Sequence, residues 1–239
     1  MKGIILAAGR GNRMKALTDK KPKCLVELNG KPLLEWQLTA LRKAGIDEIA
    51  IVTGYKKEVL SGYELVEFYN PRWEETNMVS SLDCAREWLA VGPCIVSYSD
   101  IFYETSAVKS LMDSSAPLAV TYDPNWRELW EKRFGDPLID AETFRLNTDG
   151  TLAEIGNKPD SVEDVEGQYM GLLRFTPQGW ASAVKLRSAL QSKENDSMHM
   201  TGMLNGIIQK GILPITAIRN IGPWGEIDNQ ADLNLYLSQ

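Results

Sequence analysis

A glycine-rich turn close to the N-terminus contains the residues whose types and spacing are best suited to chemistry. Gly9 and Gly11 follow the apolar run Gly3–Ala8. Arg13 and Lys23 lie shortly after them. Glycines allow backbone N–H groups to approach an anion closely, and cationic side chains beside them add attraction. This pattern predicts a polyphosphate site, and therefore chemistry at the phosphates of a nucleoside triphosphate.

The spacing of these glycines excludes two common phosphate-binding loops. The turn lacks the G-x-x-x-x-G-K-[ST] sequence of the P-loop, and Met14 occupies the place of the third glycine of G-x-G-x-x-G. A Gly-x-Gly pair alone is common in ordinary turns, so the assignment depends on the longer sequence around it.

That longer sequence runs Leu6-Ala7-Ala8-Gly9-Arg10-Gly11-Asn12-Arg13 and continues to Thr18 and Pro22-Lys23. It resembles the nucleotidyltransferase family that makes nucleotide sugars and related CDP compounds. In that family the loop surrounds the triphosphate. The resemblance implies that Arg13 and Lys23 neutralise charge as pyrophosphate leaves, whereas Arg10 is a variable position. The nucleotide contacts that it implies in the loop are Leu6, Ala7, Ala8, Gly9 and Gly11.

A further candidate nucleotide contact lies at the start of a predicted helix, Val79–Leu89. Asn77, Ser80 and Ser81 could cap this helix or contact an anion, because the first N–H groups of a helix lack partners. The same turn is similar to the nucleotide-contacting turn of the bacterial phosphocholine cytidylyltransferases, which also share Gly54-Tyr55. The resemblance implies CTP as the nucleotide, with its base near Tyr55 and Asn77.

Two carboxylates are candidate metal ligands. Asp100 comes directly after the predicted strand Pro93–Tyr98, and Asp228 ends the sequence Glu226-Ile227-Asp228. Mg²⁺ prefers hard oxygen ligands and shares its other positions with phosphates. In the resembled family acids at these two places hold Mg²⁺ together, so the resemblance implies that Asp100 and Asp228 bind it. From the residues alone, Asp228 could equally be the N-cap of a helix over Asn229–Leu237.

Lys158 is the candidate ligand for the phosphate of the second substrate, the acceptor. It follows the predicted strand Leu152–Ile155, within Gly156-Asn157-Lys158-Pro159. Sugar-phosphate nucleotidyltransferases carry E-K-P here, with Glu on the sugar hydroxyls and Lys on the phosphate. This chain has Asn157 in place of that Glu, which weakens the prediction of a sugar acceptor. A solvated turn lysine is the alternative interpretation of Lys158.

Aromatic residues of the second half predict a site for an organic cation. The chain has seven tryptophans, and an aromatic face attracts an organic cation by about 0.5–2 kcal/mol. In the phosphocholine enzymes a pocket of aromatic and acidic residues holds choline. The acceptor contacts that this resemblance implies are Trp126, Trp130, Trp224 and Tyr169. The carboxylates that could add charge complementarity are Asp136, Asp140 and Glu166. Packing in the core is the alternative for each tryptophan.

Strands and helices alternate through the first half of the chain and must position these residues. The predicted strands are Gly3–Leu6, Glu48–Thr53, Tyr63–Tyr69 and Pro93–Tyr98, with helices at Leu33–Leu41 and Val79–Leu89. Such alternation indicates right-handed βαβ crossovers and a largely parallel sheet. Ligands bind beyond the carboxyl ends of the strands of such sheets, which is where the glycine turn, Gly54-Tyr55 and Asp100 fall.

The second half of the chain is less regular. Its predicted strands are Leu118–Tyr122, the hairpin Phe144–Asn147 with Leu152–Ile155, Gln168–Phe175 and Ile215–Ile218, and its predicted helices are Pro177–Leu190 and Met200–Lys210. Because no linker or repeat separates the halves, we expect one domain over residues 1–239. Its predicted class is α/β, a Rossmann-like mixed, mostly parallel sheet flanked by helices. Residues 1–115 would bind the nucleotide, and residues 116–239 would form the acceptor half on the same sheet.

The composition excludes several classes of protein. The 239 residues are 44% hydrophobic and 24% charged, with a net charge of −6, which argues against a nucleic-acid binder. Apolar runs are too short to predict a membrane span. Cys24, Cys84 and Cys94 lack C-x-x-C spacing, and a single histidine, His199, cannot form a histidine-rich metal site. The N-terminus has no signal-peptide pattern, so a cytoplasmic location is predicted.

Together these observations predict a Mg²⁺-dependent cytidylyltransferase that joins CTP to phosphocholine or a related aminoalkyl phosphate or phosphonate and releases pyrophosphate. A sugar-1-phosphate nucleotidyltransferase is the first alternative, and Asn157 disfavours it. A non-catalytic nucleotide-sensing subunit on the same fold is the second alternative. The presence of all the charged residues expected for catalysis, Arg13, Lys23, Asp100 and Asp228, disfavours it. A nucleotide-sugar glycosyltransferase usually needs D-x-D, whereas Ser99-Asp100-Ile101-Phe102 offers one acid.

Overall fold

The computed structural model describes residues 1–237, apart from the side chains of Lys15 and Ala16. The strands are β1 (Lys2–Ala7), β2 (Glu27–Leu28), β3 (Lys31–Pro32), β4 (Ile49–Thr53), β5 (Val66–Tyr69), β6 (Cys94–Tyr98), β7 (Ile101–Tyr103), β8 (Leu118–Asp123), β9 (Phe144–Leu146), β10 (Leu152–Ile155), β11 (Gln168–Phe175), β12 (Thr216–Arg219) and β13 (Trp224–Glu226). The α-helices are α1 (Leu33–Lys43), α2 (Met78–Asp83), α3 (Arg86–Val91), α4 (Thr105–Met112), α5 (Trp126–Phe134), α6 (Pro177–Ser188), α7 (Ser192–Ser197), α8 (Met200–Gln209) and α9 (Gln230–Leu237). Short 3-10 helices lie at Asn12–Thr18, Lys23–Leu25, Lys57–Tyr63, Pro137–Ile139 and Val162–Asp164.

Seven strands form the central sheet, in the order β12-β8-β11-β6-β1-β4-β5. β1 is parallel to both β4 and β6, β5 is parallel to β4, and β12 is parallel to β8. β11 is antiparallel to β6 and to β8. The predicted α/β class with a mixed, mostly parallel sheet is therefore confirmed, and strands from both halves of the chain belong to one sheet.

The apolar runs of the sequence form the inner strands of this sheet. Ile4 and Ile5 of β1 are fully buried, and β4 is buried along its whole length. Strands covered on both faces by helices are expected to be apolar throughout, without alternation. Helix α1 covers the sheet with Leu34, Leu38 and Leu41, which share one helical face.

Several predicted elements differ from the observed ones. The helix expected over Val79–Leu89 is divided into α2 and α3, because the backbone leaves the helical region at Ala85 (φ −96°, ψ 18°). The strand expected over Tyr63–Tyr69 begins only at Val66, after a 3-10 helix. No element was predicted for residues 124–134, most of which form α5. There Trp126 and Trp130 are four residues apart and both buried.

The pairing of β7 with β13 joins two distant parts of the chain and positions the acidic residues. β13 is antiparallel to β7, with Glu226 opposite Ile101. Beyond the pair, the Ile227 N–H donates to the Asp100 carbonyl oxygen at 2.9 Å. The strand end at Asp100 is thereby held beside the segment that carries Glu226 and Asp228.

Among the described helices, none has both the length and the apolar character needed to cross a bilayer.

Candidate functional site

A cavity of about 340 Å³ lies at the carboxyl ends of β1 and β6, where the sequence predicts the nucleotide. This volume is within the range of small-molecule sites. The residues that line it are Leu6, Ala8, Gly9, Gly11, Asn12, Arg13, Lys23, Trp73, Thr76, Asn77, Met78, Ser81, Tyr98, Ser99 and Asp100. The structure therefore brings together most of the residues expected to contact the nucleotide, and we call this space the loop cavity.

Gly11 adopts a backbone conformation that the loop cavity requires. Its φ of +69° is in the left-handed region that favours glycine. A Cβ placed there would lie 3.0 Å from the Cβ of Lys23, so the glycine also leaves room for the lysine stem. The turn is closed by a hydrogen bond from the Met14 N–H to the Gly11 carbonyl oxygen at 3.0 Å.

Three residues expected to contact the nucleotide do not line the loop cavity. Ala7 is buried within β1. The Tyr55 hydroxyl donates to a backbone carbonyl at 2.9 Å, and its ring meets the edge of Trp73. The Ser80 hydroxyl points to the other side of α2, where it donates to the Asn195 carbonyl oxygen at 3.1 Å. Trp73 lines the cavity where Tyr55 was expected, so Tyr55 supports the wall from behind.

Asn77 and Ser81 line the loop cavity, and both also make structural hydrogen bonds. The Asn77 side-chain oxygen accepts from the Met78 N–H at 2.7 Å as the N-cap of α2. The Ser81 hydroxyl accepts from the Asn70 amide at 3.0 Å. The capping interpretation of this turn is thus confirmed for Asn77, which also lines the cavity.

Three carboxylates meet beside the loop cavity, and one of them, Asp100, lines it. One oxygen each from Asp100, Glu226 and Asp228 lies within 4.8 Å of the others. Asp228 is almost fully buried, and the Asp100 Oδ1 atom is buried without a hydrogen-bond partner among the described residues. A set of hard oxygen donors with an unpartnered carboxylate oxygen fits Mg²⁺, which prefers such ligands. Glu226 was not predicted as a ligand, although it stands in the same short sequence as Asp228.

The alternative role of Asp228 as a helix N-cap is wrong. The side chain of the next residue, Asn229, caps α9 by accepting from the N–H groups of Ala231 and Asp232 at 2.8 and 3.0 Å. Asp232 in turn accepts from the Asp228 N–H at 2.9 Å and fixes the backbone of the turn. The Asp228 carboxylate is therefore not used for capping and lies with those of Asp100 and Glu226.

Two cations, Lys23 and Arg13, hold two of the three carboxylates in this structure. The Lys23 ammonium donates to Asp100 Oδ2 at 2.7 Å and to Asp228 Oδ1 at 2.5 Å. Arg13 approaches the same Asp228 oxygen at 2.8 Å. Burial would lower the pKa of Lys23, but the Asp100 and Asp228 carboxylates outweigh it and raise that pKa. Burial would raise the pKa of Asp228, but Lys23 and Arg13 bring it below its usual range.

Arg133, on α5, supports the cluster from below and was not predicted. Its side chain is fully buried and bonds to Glu226 at 3.0 Å, to Asp228 at 3.4 Å and to Asp232 at 3.0 Å. Its guanidinium lies over the ring of Trp130 at 4.7 Å. Burial would lower its pKa, but bonding to Asp232 and the charge of Glu226 raise it. Because one planar group reaches three carboxylates, Arg133 is a positioning residue.

A second cavity of about 210 Å³ adjoins the loop cavity, and we call it the acidic cavity. The residues that line it are Arg13, Met78, Tyr98, Asp100, Asp140, Glu142, Gln168, Tyr169, Met170, Gly171, His199, Met200, Thr201, Glu226 and Asp228. Arg13, Met78, Tyr98 and Asp100 line both cavities. The predicted acceptor residue Tyr169 and the candidate acid Asp140 are both here.

The three tryptophans expected to contact the acceptor do not line either cavity. Trp130 is fully buried and stacks against Trp224, with ring centroids 6.2 Å apart. Trp126 is also buried, and its Nε1 donates to the Val165 carbonyl oxygen at 3.1 Å. The prediction of acceptor contacts for Trp126, Trp130 and Trp224 is corrected, because the core occupies their faces.

Lys158 and two candidate acids also lie away from the cavities. Lys158 is exposed and does not line either space. Asp136 uses its carboxylate to accept from the Leu138 N–H at 3.0 Å, and Glu166 accepts from the Leu146 N–H at 2.7 Å. The solvated-lysine interpretation of Lys158 fits this structure, and Arg13 is the cation that faces both cavities.

Asp140 and Glu142 are carboxylates of the acidic cavity that stand apart from the three-carboxylate cluster. Asp140 lies 3.8 Å from Arg13, and Glu142 accepts from the Thr201 hydroxyl at 3.4 Å. Desolvation by the surrounding residues raises the pKa of both carboxyl groups. Glu142 had no signal in the sequence beyond its nearness to Asp140.

Comparison with known proteins adds to this geometry. A family model described as a MobA-like NTP transferase domain matches residues 3–148. A CTP:phosphoglutamine cytidylyltransferase from Campylobacter jejuni subsp. jejuni is 35% identical over the full length of both chains. A choline-phosphate cytidylyltransferase from Streptococcus pneumoniae is 42% identical, over 38% of this chain and 41% of its own length.

Two solved structures with the same arrangement of strands and helices are described as enzymes that transfer cytidylyl groups. An inositol-1-phosphate CTP transferase from T. maritima has a TM-score of 0.78 and 20% identity, covering 98% of this chain and 93% of its own. A CTP:phosphocholine cytidylyltransferase from Streptococcus pneumoniae has a TM-score of 0.73 and 22% identity, covering 99% and 97%. At this level of identity the likeness establishes a shared fold.

Proposed function

The chain belongs to the MobA-like NTP transferase family, and from that premise we propose that it joins CTP to a small phosphorylated amine with the help of Mg²⁺. The full-length relative and two of the partial matches are named as cytidylyltransferases of small phosphorylated or phosphonate molecules. The amine acceptor and the Mg²⁺ ion are proposed in addition to this activity. The observation that carries it is the cluster of Asp100, Glu226 and Asp228, which lines the acidic cavity and reaches the loop cavity through Asp100.

The loop cavity binds the nucleotide in this proposal. Its glycine turn offers backbone N–H groups to the triphosphate, and Arg13 and Lys23 add two positive charges. Both cations are bound to carboxylates in this structure, so a triphosphate would compete with Asp228 for them. Asn77 and Trp73 also line this cavity and, in this proposal, contact the sugar or the base.

Asp100, Glu226 and Asp228 hold Mg²⁺ in this proposal. Mg²⁺ bound there would neutralise charge on phosphate oxygens. Asp100 has an oxygen without a partner among the described residues, and it lines both cavities. Asp100, the proposed metal ligand that faces both substrates, therefore also has an oxygen atom available to bind the metal.

The reaction needs no general base, because the attacking oxygen of the acceptor's phosphate is already anionic. That oxygen forms a bond to the α-phosphorus of CTP, and the bond from the α-phosphorus to the bridging oxygen of the β-phosphate breaks. Pyrophosphate leaves with the electron pair of that bond. Catalysis then consists of positioning the two phosphates and stabilising negative charge, for which Arg13 and Lys23 are suitably placed.

The choice of an amine acceptor follows from the relatives and from the charge of the acidic cavity. Phosphoglutamine, choline phosphate and 2-aminoethylphosphonate, the substrates in the names of three relatives, all carry nitrogen. Five carboxylates line the acidic cavity, whereas Arg13 is the only arginine or lysine that lines it among the described residues. Such a cavity suits a substrate with a positive charge at the end away from its phosphate.

Pyrophosphate release in the presence of Mg²⁺ tests the proposed function. Each of four nucleoside triphosphates is combined with phosphoglutamine, phosphocholine, phosphoethanolamine, 2-aminoethylphosphonate and glucose-1-phosphate. We expect release with CTP and a nitrogen-containing acceptor. Release with glucose-1-phosphate alone would replace the amine by a sugar, and CTP binding without release from any pair would favour a nucleotide sensor.

Replacing Asp100 by Asn should lower kcat by about 100-fold or more, because one oxygen ligand and one negative charge are lost at the centre of the site. The fold should persist, since the two side chains have nearly the same shape, and circular dichroism checks this. Asp113→Asn, on the exposed end of α4, is the matched control. An Asp100→Asn enzyme with full activity would remove Asp100 from the metal site.

A further inference from the structure

The acidic cavity contains more negative charge than its internal partners neutralise. Lys23 and Arg133 bind the cluster of Asp100, Glu226 and Asp228. Asp140 and Glu142 lie outside that arrangement, and neither is bound to Lys23 or Arg133 in the described structure. These two carboxylates remain for a ligand.

Arg13 is a poor partner for Asp140. Its Nη1 atom is 3.8 Å from Asp140, whereas its Nη2 atom is 2.8 Å from Asp228. The side chain is 64% exposed, so it can turn towards a triphosphate that enters the loop cavity. Once a nucleotide is bound, Asp140 would lose even this distant cation.

An independent observation concerns Tyr169, which lines the same cavity. Its hydroxyl is buried beside that of Tyr98, and it makes no well-aligned hydrogen bond among the described residues. A buried hydroxyl without such a bond costs about 1–3 kcal/mol. A ligand polar group in the acidic cavity could remove that cost, since the phenol oxygen both donates and accepts.

The aromatic surface that a quaternary ammonium group needs is not available in this cavity. Trp126, Trp130 and Trp224 are packed in the core. The aromatic residues that line the cavity in the described structure are Tyr98 and Tyr169, which meet edge to face with centroids 5.8 Å apart. The two rings turn towards each other and do not form parallel walls around a cation.

We propose that Asp140, Glu142 and Tyr169 bind a primary ammonium group of the acceptor and make the enzyme select it over a trimethylammonium group. A primary ammonium has three N–H donors, and these three side chains offer three acceptors around one cavity. A trimethylammonium group has no N–H donor and would leave the three oxygens without hydrogen bonds. The inference rests on the proposed function and assigns the acceptor class within it.

The test compares matched pairs of acceptors that differ only in methylation of the nitrogen. Phosphoethanolamine is paired with phosphocholine, and the best amine acceptor of the panel is paired with its N-trimethyl derivative. With CTP and Mg²⁺, we expect kcat/KM to be at least tenfold higher for the primary amine of each active pair.

Asp140→Asn and Glu142→Gln should each lower kcat/KM for the primary amine by about 10- to 100-fold, the effect of losing a charged hydrogen bond. The KM for CTP should stay within about twofold, which also shows that the variants fold. Glu163→Gln, an exposed acid outside both cavities, is the matched control and should behave as the wild type.

The outcomes separate this inference from the proposed function. Equal use of both members of a pair, or equal losses for both in the variants, would overturn the inference and leave the cytidylyltransferase intact. Absence of CTP turnover with every acceptor would overturn both. Preference for the primary amine that disappears in Asp140→Asn and Glu142→Gln would support both.

Discussion

Lys23 neutralises the same carboxylates that a divalent cation would use. Its ammonium lies 2.7 Å from Asp100 and 2.5 Å from Asp228, and its side chain is only 8% exposed. A lysine so placed stabilises an acidic cluster that would otherwise repel itself, and it competes with a metal ion for the oxygens. Its stem passes beside Gly11, which places it within reach of the loop cavity as well.

Replacing Lys23 by Met should therefore separate metal binding from turnover. Without the competing ammonium, we expect nucleotide-free Mn²⁺ to bind roughly tenfold more tightly, the equivalent of about one charge-assisted hydrogen bond. Turnover should fall by about 100-fold, since the lysine no longer stabilises the leaving pyrophosphate. Titration of the Mn²⁺ signal by electron paramagnetic resonance measures the first quantity, and pyrophosphate release the second.

The control for this variant is Arg10→Met. Arg10 lies on the same loop, pairs with the exposed Asp19 at 3.2 Å and does not line either cavity. It should leave the affinity for Mn²⁺ unchanged. If Lys23→Met weakened Mn²⁺ binding, the lysine would be a support of the metal site and not its competitor.

At the scale of single residues, the motif predicted residues that the structure brings together at one cavity. Gly9, Gly11 and Arg13 line the loop cavity because the turn that carries them follows directly from β1. The prediction that the tryptophans contact the acceptor was wrong, because an abundance of aromatic residues does not distinguish a binding pocket from a core. The four-residue spacing of Trp126 and Trp130 was the signal of one buried helical face.

At the scale of elements, α5 and the β7–β13 pair explain how the cluster is assembled. β13 returns from the end of the chain to pair with β7 beside Asp100. α5 packs near α9 and supplies Arg133 beneath the carboxylates. The tryptophans on α5 and β13 are the apolar base of this arrangement, with Trp130 against Trp224.

Trp130→Ala should for this reason act on stability. Removing a large, fully buried ring leaves a cavity, and we expect the free energy of unfolding to fall by about 3–5 kcal/mol. Urea denaturation measures this loss. The ratio of kcat/KM for amine and uncharged acceptors should stay constant at a temperature where the variant is folded.

Trp36→Ala is the comparison for that experiment. Trp36 is only half-buried on α1, where Lys31 lies over its ring at 4.7 Å, so its loss should cost less. A Trp130→Ala variant of normal stability with a selective defect for cationic acceptors would contradict the core assignment and return Trp130 to the acceptor site.

Local patterns explain which elements could be predicted. The inner strands β1, β4 and β6 were found because each is a short apolar run bounded by polar residues. The β7–β13 pair was missed, because three-residue strands are stabilised by a partner more than one hundred residues away in the sequence. The position of Glu226 depends on that pairing and could not be derived from local sequence.

At the scale of the whole molecule, the site lies where the two halves of the sheet join. β1 and β6 come from the first half of the chain, and β11 is inserted antiparallel between β6 and β8. Tyr98 at the end of β6 contacts Tyr169 of β11 across this junction. The division into a nucleotide half and an acceptor half at residues 115 and 116 stays a prediction, since residues of the first half also line the acidic cavity.

CTP binding should raise the stability of the whole chain, because the loop cavity is formed only in the folded state. At a CTP concentration of 100 times Kd with Mg²⁺, the gain is about 2.7 kcal/mol, or about 5–10 °C in Tm. Arg13→Met, with an expected tenfold weaker affinity, should about halve this shift at the same CTP concentration. Differential scanning fluorimetry measures both.

Arg42→Met, on the exposed face of α1 and away from both cavities, should retain the full shift. A full shift in Arg13→Met as well would mean that the arginine does not contact the triphosphate. The absence of any shift with the wild type would mean that the folded chain does not bind CTP.

The four residues shared by the loop cavity and the acidic cavity, Arg13, Met78, Tyr98 and Asp100, make one continuous space available to inhibitor design. A cytidine tethered through a non-hydrolysable diphosphonate to an aminoalkyl group could occupy both compartments in one molecule. Such a ligand loses its translational freedom once, so its second half binds at a high effective concentration. The reaction product has the same shape, and its departure is then expected to limit the turnover of the enzyme at saturating substrate.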